Sequence, residues 1–393
     1  MTASASFRLS SLRRGLDGFA HFGEEAAPDH PIYIYDRLDE PTRGMLEENL
    51  AYAERGEMAI CYASGMSAIS AALCTLAERD TEILSHETIY GCTYSLMTNW
   101  LPRFGVSTRF ANLVDPCNVE RYATPRTRVV YFETPVNPTM DLIDIQAVRA
   151  QVDKLNTGRA EAEQIKLVVD NTFATPFCQR PLEQGADLSL NSLTKDIGGF
   201  GTDMGGVIVG PRRYYHELIM FRKDFGAALS PRAAWSVLVY GLPTLATRLV
   251  NQQKSALRVA EFLTEQPKVA SVRYPGLAAF PQQDLARRQM VSYDGRFAPG
   301  SMLYFTIRHN GDDIATAERF VDYLAEKSYC ITLAVSLGNI KTLVEHPYSM
   351  THSAMSDEER RRRGIEPTGI RLSLGLEDWH DITADLKHAL AAC

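Results

Sequence analysis

The sequence predicts an α/β protein: a large domain built on a mostly parallel sheet, followed by a smaller C-terminal α+β domain. Three observations predict it. Between residues 51 and about 240, short apolar runs alternate with amphipathic helical patterns, and strands separated by helices assemble into parallel sheets covered on both faces. After "YGLPTLATR" a long helical pattern begins, and its "SALRVAEFLTEQP" stops at a proline, where the pattern changes. With 393 residues, 45% of them hydrophobic, the chain exceeds a single core of roughly 150 residues.

Taken in order, residues 1–50 are punctuated by Pro and Gly in "EEAAPDHPIYIYDRLDEPTRG" and predict an extended arm that reaches a neighbouring subunit. Residues 51–245 form the large domain, with "TEILSH", "RVVYFE", "IKLVVDN", "ADLSLNS" and "GGVIVG" as strands between helices such as "ISAALCTLAER". Residues 246–393 form the small domain, with strands "SMLYFTIR" and "GIRLSLG" and the helix "DIATAERFVDYLAEK". In "SDEERRRRG", Ser356 and Glu359 have the spacing of a capping box, so the arginines fall on an exposed helix and not on a nucleic-acid surface.

Composition excludes several classes. The net charge of −7, with acids and bases mixed along the chain, offers no basic face to nucleic acid or a membrane. No apolar stretch is expected to span a bilayer. The seven cysteines are scattered and never closer than thirteen positions, which fits neither a disulfide framework nor a CxxC metal site and points to a reducing cytoplasm. No GxGxxG opens a βαβ unit, which argues against a dehydrogenase.

Ligands of open α/β sheets bind beyond the carboxyl ends of the strands, so polar residues after apolar runs are the ones to collect. "KLVVDNTF" delivers Asp170, "LSLNSLTK" delivers Ser192, Thr194 and Lys195, and "VVYFETPVNPT" delivers Glu133 and Asn137. Taken singly, Asp170 and Ser192 read more readily as helix caps and Asn137 as a turn residue. Gly65 in "YASGMSAISAALCTLA" opens a helix whose Ile69, Ala72, Leu73 and Leu76 share its core face, leaving N–H groups for an anion. Together, an anion seat, a lysine among hydroxyls and a strand-end aspartate 25 positions earlier are the parts that pyridoxal phosphate requires.

The ordered motifs "YDRLDEPT", "SGMSA", "YGCTY", "ETPVNPT", "VVDNTF", "SLTK", "YPGL", "SLGN", "EHPYSMTH" and "RLSLGLED" then make the chain resemble the pyridoxal-phosphate enzymes of cysteine and methionine metabolism, from about residue 30 onward. The resemblance implies the type I, aspartate-aminotransferase-like fold and a homotetramer built from catalytic dimers. It implies that Lys195 forms the Schiff base, Asp170 pairs with the ring nitrogen, Gly65, Met66, Ser192 and Thr194 hold the phosphate, and Asn137 approaches the ring oxygen. By the same resemblance, Tyr35 and Arg37 reach the phosphate of the adjacent subunit, Tyr90 stacks on the ring and serves as an acid, and Ser336 and Arg371 receive the substrate carboxylate.

Within that family, Cys92, the "RKDFGAALSP" loop with Lys223 and Asp224, and Val335 at a position where cystathionine enzymes have glutamate resemble methionine γ-lyases. The expected reaction is α,γ-elimination from methionine or a related sulfur amino acid, with Cys92 in the catalytic and substrate-binding set and Tyr35 also among the substrate-binding residues; the rival is a γ-replacement transferase such as an O-acylhomoserine sulfhydrylase. A non-catalytic scaffold that keeps the cofactor is a third reading. Asp196, Phe200, Glu40 and Asn191 depart from the family pattern, and one extra residue precedes Asp203.

Overall fold

The computed structural model describes residues 1–24, 32–309, 311–351 and 355–393. Positions 25–31 of the expected arm and His352 of "EHPYSMTH" lie outside the described residues. The large sheet comprises β1 (Met58–Tyr62), β2 (Glu82–His86), β3 (Ser107–Ala111), β4 (Thr127–Glu133), β5 (Lys166–Asp170), β6 (Leu188–Ser192) and β7 (Gly206–Gly210), in the spatial order 1-7-6-5-4-2-3. Its pairs are parallel from β3 to β6, and only β7 runs antiparallel to both of its neighbours. The short strands β1 and β3 have no alternation long enough to announce them.

Alternating side chains explain why this sheet is covered on both faces. Val168 of β5 packs into one core with Tyr131, Leu190 and Ile208, whereas Leu167 and Val169 pack into another with Val130 and Phe132. Each such residue contributes about 1.5–3 kcal/mol by leaving water; a carboxylate at position 168 would break the centre of the sheet.

The small sheet contains β8 (Val269–Arg273), β9 (Met302–Ile307), β10 (Thr332–Leu333), β11 (Leu343–Glu345) and β12 (Gly369–Ser373), in the order 10-11-12-9-8. The helix Leu242–Thr264 joins the two halves: Leu245 and Leu249 enter the core below the large sheet, and Ala256, Val259, Ala260 and Leu263 enter the core of the small one. Contrary to expectation, the continuous stretch Pro231–Thr264 is long enough to cross a membrane and contains an 18-residue window apolar enough to do so, with a mean hydropathy of 1.2. Burial of Leu245, Leu249, Ala256, Val259, Ala260 and Leu263 in two protein cores accounts for part of that composition, while Trp235, Val239 and Tyr240 stay exposed.

The N-terminal region differs from the extended arm expected. It holds α1 (Leu12–Ala20), capped by Ser11, and α2 (Pro41–Glu54). Gly15 and Gly18 obscured the i, i+4, i+7 stripe of Leu12, Leu16 and Phe19, which is exposed in the single chain. Glu40, which departs from the family pattern, caps α2: its carboxylate accepts from the N–H groups of Thr42 at 3.0 Å and Arg43 at 2.8 Å. The capping box of Ser356 and Glu359 is present, but the arginines after it are not all solvated. Arg363 is buried over the rings of Tyr94 and Phe110 because it bonds the carbonyl of Glu87.

Candidate active site

A cavity opens beyond the carboxyl ends of the parallel strands and is closed on its far side by the small domain. Strand β4 ends at Glu133, β5 at Asp170 and β6 at Ser192, and all three line it. Gly65, Met66, Tyr90, Asn137, Thr194, Lys195, Ser336 and Arg371 line it too, so most of the residues singled out in the sequence meet in one place. Cys92, Tyr35 and Arg37 do not line it. Cys92 is exposed on α4 (Gly91–Ser95), Tyr35 is 41% exposed, and Arg37 donates to the backbone carbonyl of Lys223.

Lys195 stands three positions beyond the last residue of β6, and its Nζ donates to Ser336 Oγ at 2.8 Å. Burial, seconded by the charge of Arg371, lowers its pKa from 10.5 to about 8, while Glu345 and Asp196 oppose the shift. Ser336 holds this position at φ 126°, in the left-handed region that non-glycine residues avoid, which is a form of strain that clusters at functional sites.

Asp170 is held by the Thr172 N–H at 2.9 Å and the Tyr131 hydroxyl at 3.4 Å, and it has no ion-pair partner among the described residues. Glu133 accepts from the backbone N–H of Tyr90 at 2.7 Å. Burial raises the pKa of both acids; the charge of Asp170 raises that of Glu133 further, whereas hydrogen bonds from Thr172 and Tyr131 favour the Asp170 anion. Burial, then the Cys92 thiol and the acids Glu133 and Glu345, push the Tyr90 phenol well above its ordinary value; it stays protonated.

The helix α3 (Gly65–Leu76) points its N-terminus at this acid and amine. Ser64 caps it by accepting from the N–H of Ser67 at 3.1 Å, which leaves the Gly65 and Met66 N–H groups to face an anion. The seat is tight: a Cβ on Gly65 would lie 3.0 Å from Ser192 Cβ, and one on Gly206 would lie 2.3 Å from the Ser64 carbonyl oxygen. Thr194 Oγ1 exchanges hydrogen bonds with Gly205 N and O at 3.1 and 3.3 Å.

Arg371, on β12, is fully buried. Its guanidinium donates to Asn137 Oδ1 at 2.9 Å and to the Ser336 carbonyl at 3.0 Å, and it is ion-paired with Glu345. Sequence reasoning missed Glu345, although it stands in the quoted "EHPYSMTH"; the antiparallel register sets it directly opposite Arg371. Phe173 and Met204 in the cavity wall were missed as well, and no local pattern marks them. Of the departing residues, Asp196 is buried directly after the lysine, where burial pushes its carboxyl up to about 6 against the pull of Arg248, and Phe200 lies under the Arg248 guanidinium.

These residues fit pyridoxal phosphate. A buried carboxylate without a cation of its own suits a protonated ring nitrogen, and a lysine of lowered pKa beside a helix N-terminus suits a cofactor that carries both an aldehyde and a phosphate. Fold and site together define a pyridoxal-phosphate-dependent enzyme of fold type I.

The chain belongs to the Cys/Met metabolism PLP-dependent enzyme family, whose description matches residues 2–391. It is 40% identical over 391 residues to an L-methionine γ-lyase of Pseudomonas putida, covering 99% of this chain and 91% of that protein. It is 39% identical over 389 residues to that of Treponema denticola, covering 98% and 90%. An O-succinylhomoserine sulfhydrylase of Pseudomonas aeruginosa is 36% identical, with 99% and 90% covered. The crystal structure of cystathionine γ-lyase from Lactobacillus plantarum complexed with L-serine superimposes with a TM-score of 0.86 at 29% identity, covering 100% of this chain and 92% of that one.

Proposed function

We propose that the protein is a carbon–sulfur lyase that eliminates the γ-substituent of L-methionine or a related sulfur amino acid, giving 2-oxobutanoate, ammonia and a thiol. The observation that carries this reading is the meeting of a buried amine, Lys195, with the protonated phenol of Tyr90 and the Arg371 guanidinium in one cavity whose wall has the apolar Val335. Similarity to two methionine γ-lyases supports it.

Lys195 would tether the cofactor, Asp170 would hold its ring nitrogen, Tyr90 would stack on the ring, Asn137 would approach its oxygen, and Gly65, Met66, Ser192 and Thr194 would take its phosphate. Bound pyridoxal phosphate supplies an electron-withdrawing ring that accepts the electron pair released at Cα. Arg371 and Ser336 hold the substrate carboxylate. The neutral Lys195 amine, once free, would take the proton from Cα, deliver it to the bound cofactor and so become neutral again, and only then take one from Cβ. Tyr90 gives its proton to the departing sulfur, so the products leave as a thiol, ammonium and, after addition of water, the oxo acid.

Tyr35 and Arg37 complete the phosphate site of a second copy, Cys92 joins the substrate site beside Tyr90, and the loop of Lys223 and Asp224 borders it in the assembled oligomer, a homotetramer made of two catalytic dimers. The exposed apolar stripe of α1 supports burial of that segment between subunits. A reducing, cytoplasmic setting agrees with seven cysteines that are all free.

Purified protein given methionine alone yields 2-oxobutanoate, ammonia and methanethiol together. The rival γ-replacement activity takes over if methionine gives no oxo acid while an O-acylhomoserine plus sulfide gives homocysteine.

A further inference from the structure

The Arg371 guanidinium meets a carboxylate already built into the wall. Glu345 is 1% exposed, and both of its oxygens are engaged, Oε2 with Arg371 Nη2 and Oε1 with the Thr351 hydroxyl. The other Arg371 donors reach Asn137 Oδ1 and the Ser336 carbonyl, so three separate acceptors fix the plane of the guanidinium. Glu345 comes from β11 and Arg371 from β12, and the cross-strand register locks them face to face. Few alternatives exist for a long cation so confined.

We infer that Glu345 is a positioning residue for substrate recognition: it holds the Arg371 fork in the orientation that receives an amino acid's carboxylate. The inference rests on the reading of this cavity as an amino-acid site and does not depend on which amino acid is consumed. Without Glu345, the guanidinium would keep two neutral acceptors and would be free to turn away from the cavity. The two side chains also act on Lys195, which Arg371 disfavours as a cation and Glu345 favours. An arriving carboxylate adds negative charge beside that lysine and strengthens it as a proton acceptor at the moment substrate is bound.

The test compares two probes on the holoenzyme, glycine and methylamine, which share an amine and differ in the carboxylate. Each is titrated against the cofactor's absorbance, and the ratio of their affinities isolates carboxylate recognition. Glu345→Ala is expected to shrink the preference for glycine by about tenfold or more, because a charged hydrogen-bond geometry is lost. Glu345→Gln keeps an acceptor on Arg371 and is expected to stay within about threefold of the wild-type preference. Glu345→Asp keeps the charge but not the reach, is expected to fall between the two, and serves if the alanine protein does not fold. A wild-type preference in the alanine or aspartate protein overturns the inference. So does equal weakening of both probes, which marks a general loss of structure, or a glutamine protein as impaired as the alanine one. Because glycine and methylamine are not turned over by elimination, failure of the lyase assignment leaves this result readable.

Discussion

Asn191 Nδ2 donates to Glu54 Oε1 at 2.5 Å, tying the cavity wall beside Ser192 to a carboxyl buried on α2. Asn171 Nδ2 reaches the same oxygen at 2.9 Å. Burial pushes Glu54 up to about 7 in spite of these two donors, from an ordinary 4.5. An acid raised on folding contributes fully below pH 4.5, and its contribution is lost as the pH rises through 7, a swing of roughly 3 kcal/mol.

Glu54→Gln keeps the shape and the acceptor oxygen without that titration. Its stability relative to wild type should therefore increase between pH 5 and pH 8, by up to roughly 3 kcal/mol. Denaturant melts at the two pH values check this, and an equal difference at both would remove Glu54 as the source.

Lys195 bonds an aldehyde only as the neutral amine. With its pKa lowered to about 8, the rate at which apoprotein takes up pyridoxal phosphate should climb roughly tenfold per pH unit below 8 and then level off. Stopped-flow absorbance follows the uptake. A rate that keeps climbing towards pH 10 would mean the amine is solvated. Borohydride reduction of the loaded protein should leave the mass adduct on the peptide containing Lys195, and Lys195→Ala should show none.

Tyr90→Phe removes the phenolic proton and keeps the ring. Elimination from methionine should slow by about 10²- to 10⁴-fold in kcat, and much less for a homocysteine derivative whose aryl thiolate needs no proton to leave. Equal losses on both substrates would assign Tyr90 to stacking alone.

Gly206 pairs with Tyr62 on one side and Ser192 on the other, with the Ser64 carbonyl against its α-carbon. In Gly206→Ala the new methyl group, 2.3 Å from that oxygen, must push the start of α3 away. Cofactor affinity should fall by about tenfold or more while the core stays folded, as equilibrium dialysis and circular dichroism would show. Unchanged affinity would mean that α3 does not seat the phosphate.

Asp170, Ser192 and Lys195 were legible because they stand at or just beyond the end of an apolar strand pattern, and the end of a strand in an open sheet is a local signal. Gly65 was legible for the same kind of reason, since a glycine ahead of a helical stripe is read from neighbouring residues. The helices of the first fifty residues were less so: glycines at 15 and 18 interrupt one pattern, and a proline at 41 marks a helix start as readily as a turn.

The sequence by itself determined the strand-and-helix order, the lysine with its aspartate and anion seat, and the family, since these depend on residues near one another along the chain. Only the tertiary structure decided that Ser336, 141 positions away, holds Lys195, that Glu345 faces Arg371, and that Glu54 backs the wall at Asn191. Such pairs are set by strand register and by the packing of one sheet against another, and a charge buried by distant segments carries no mark of that burial in its own neighbours.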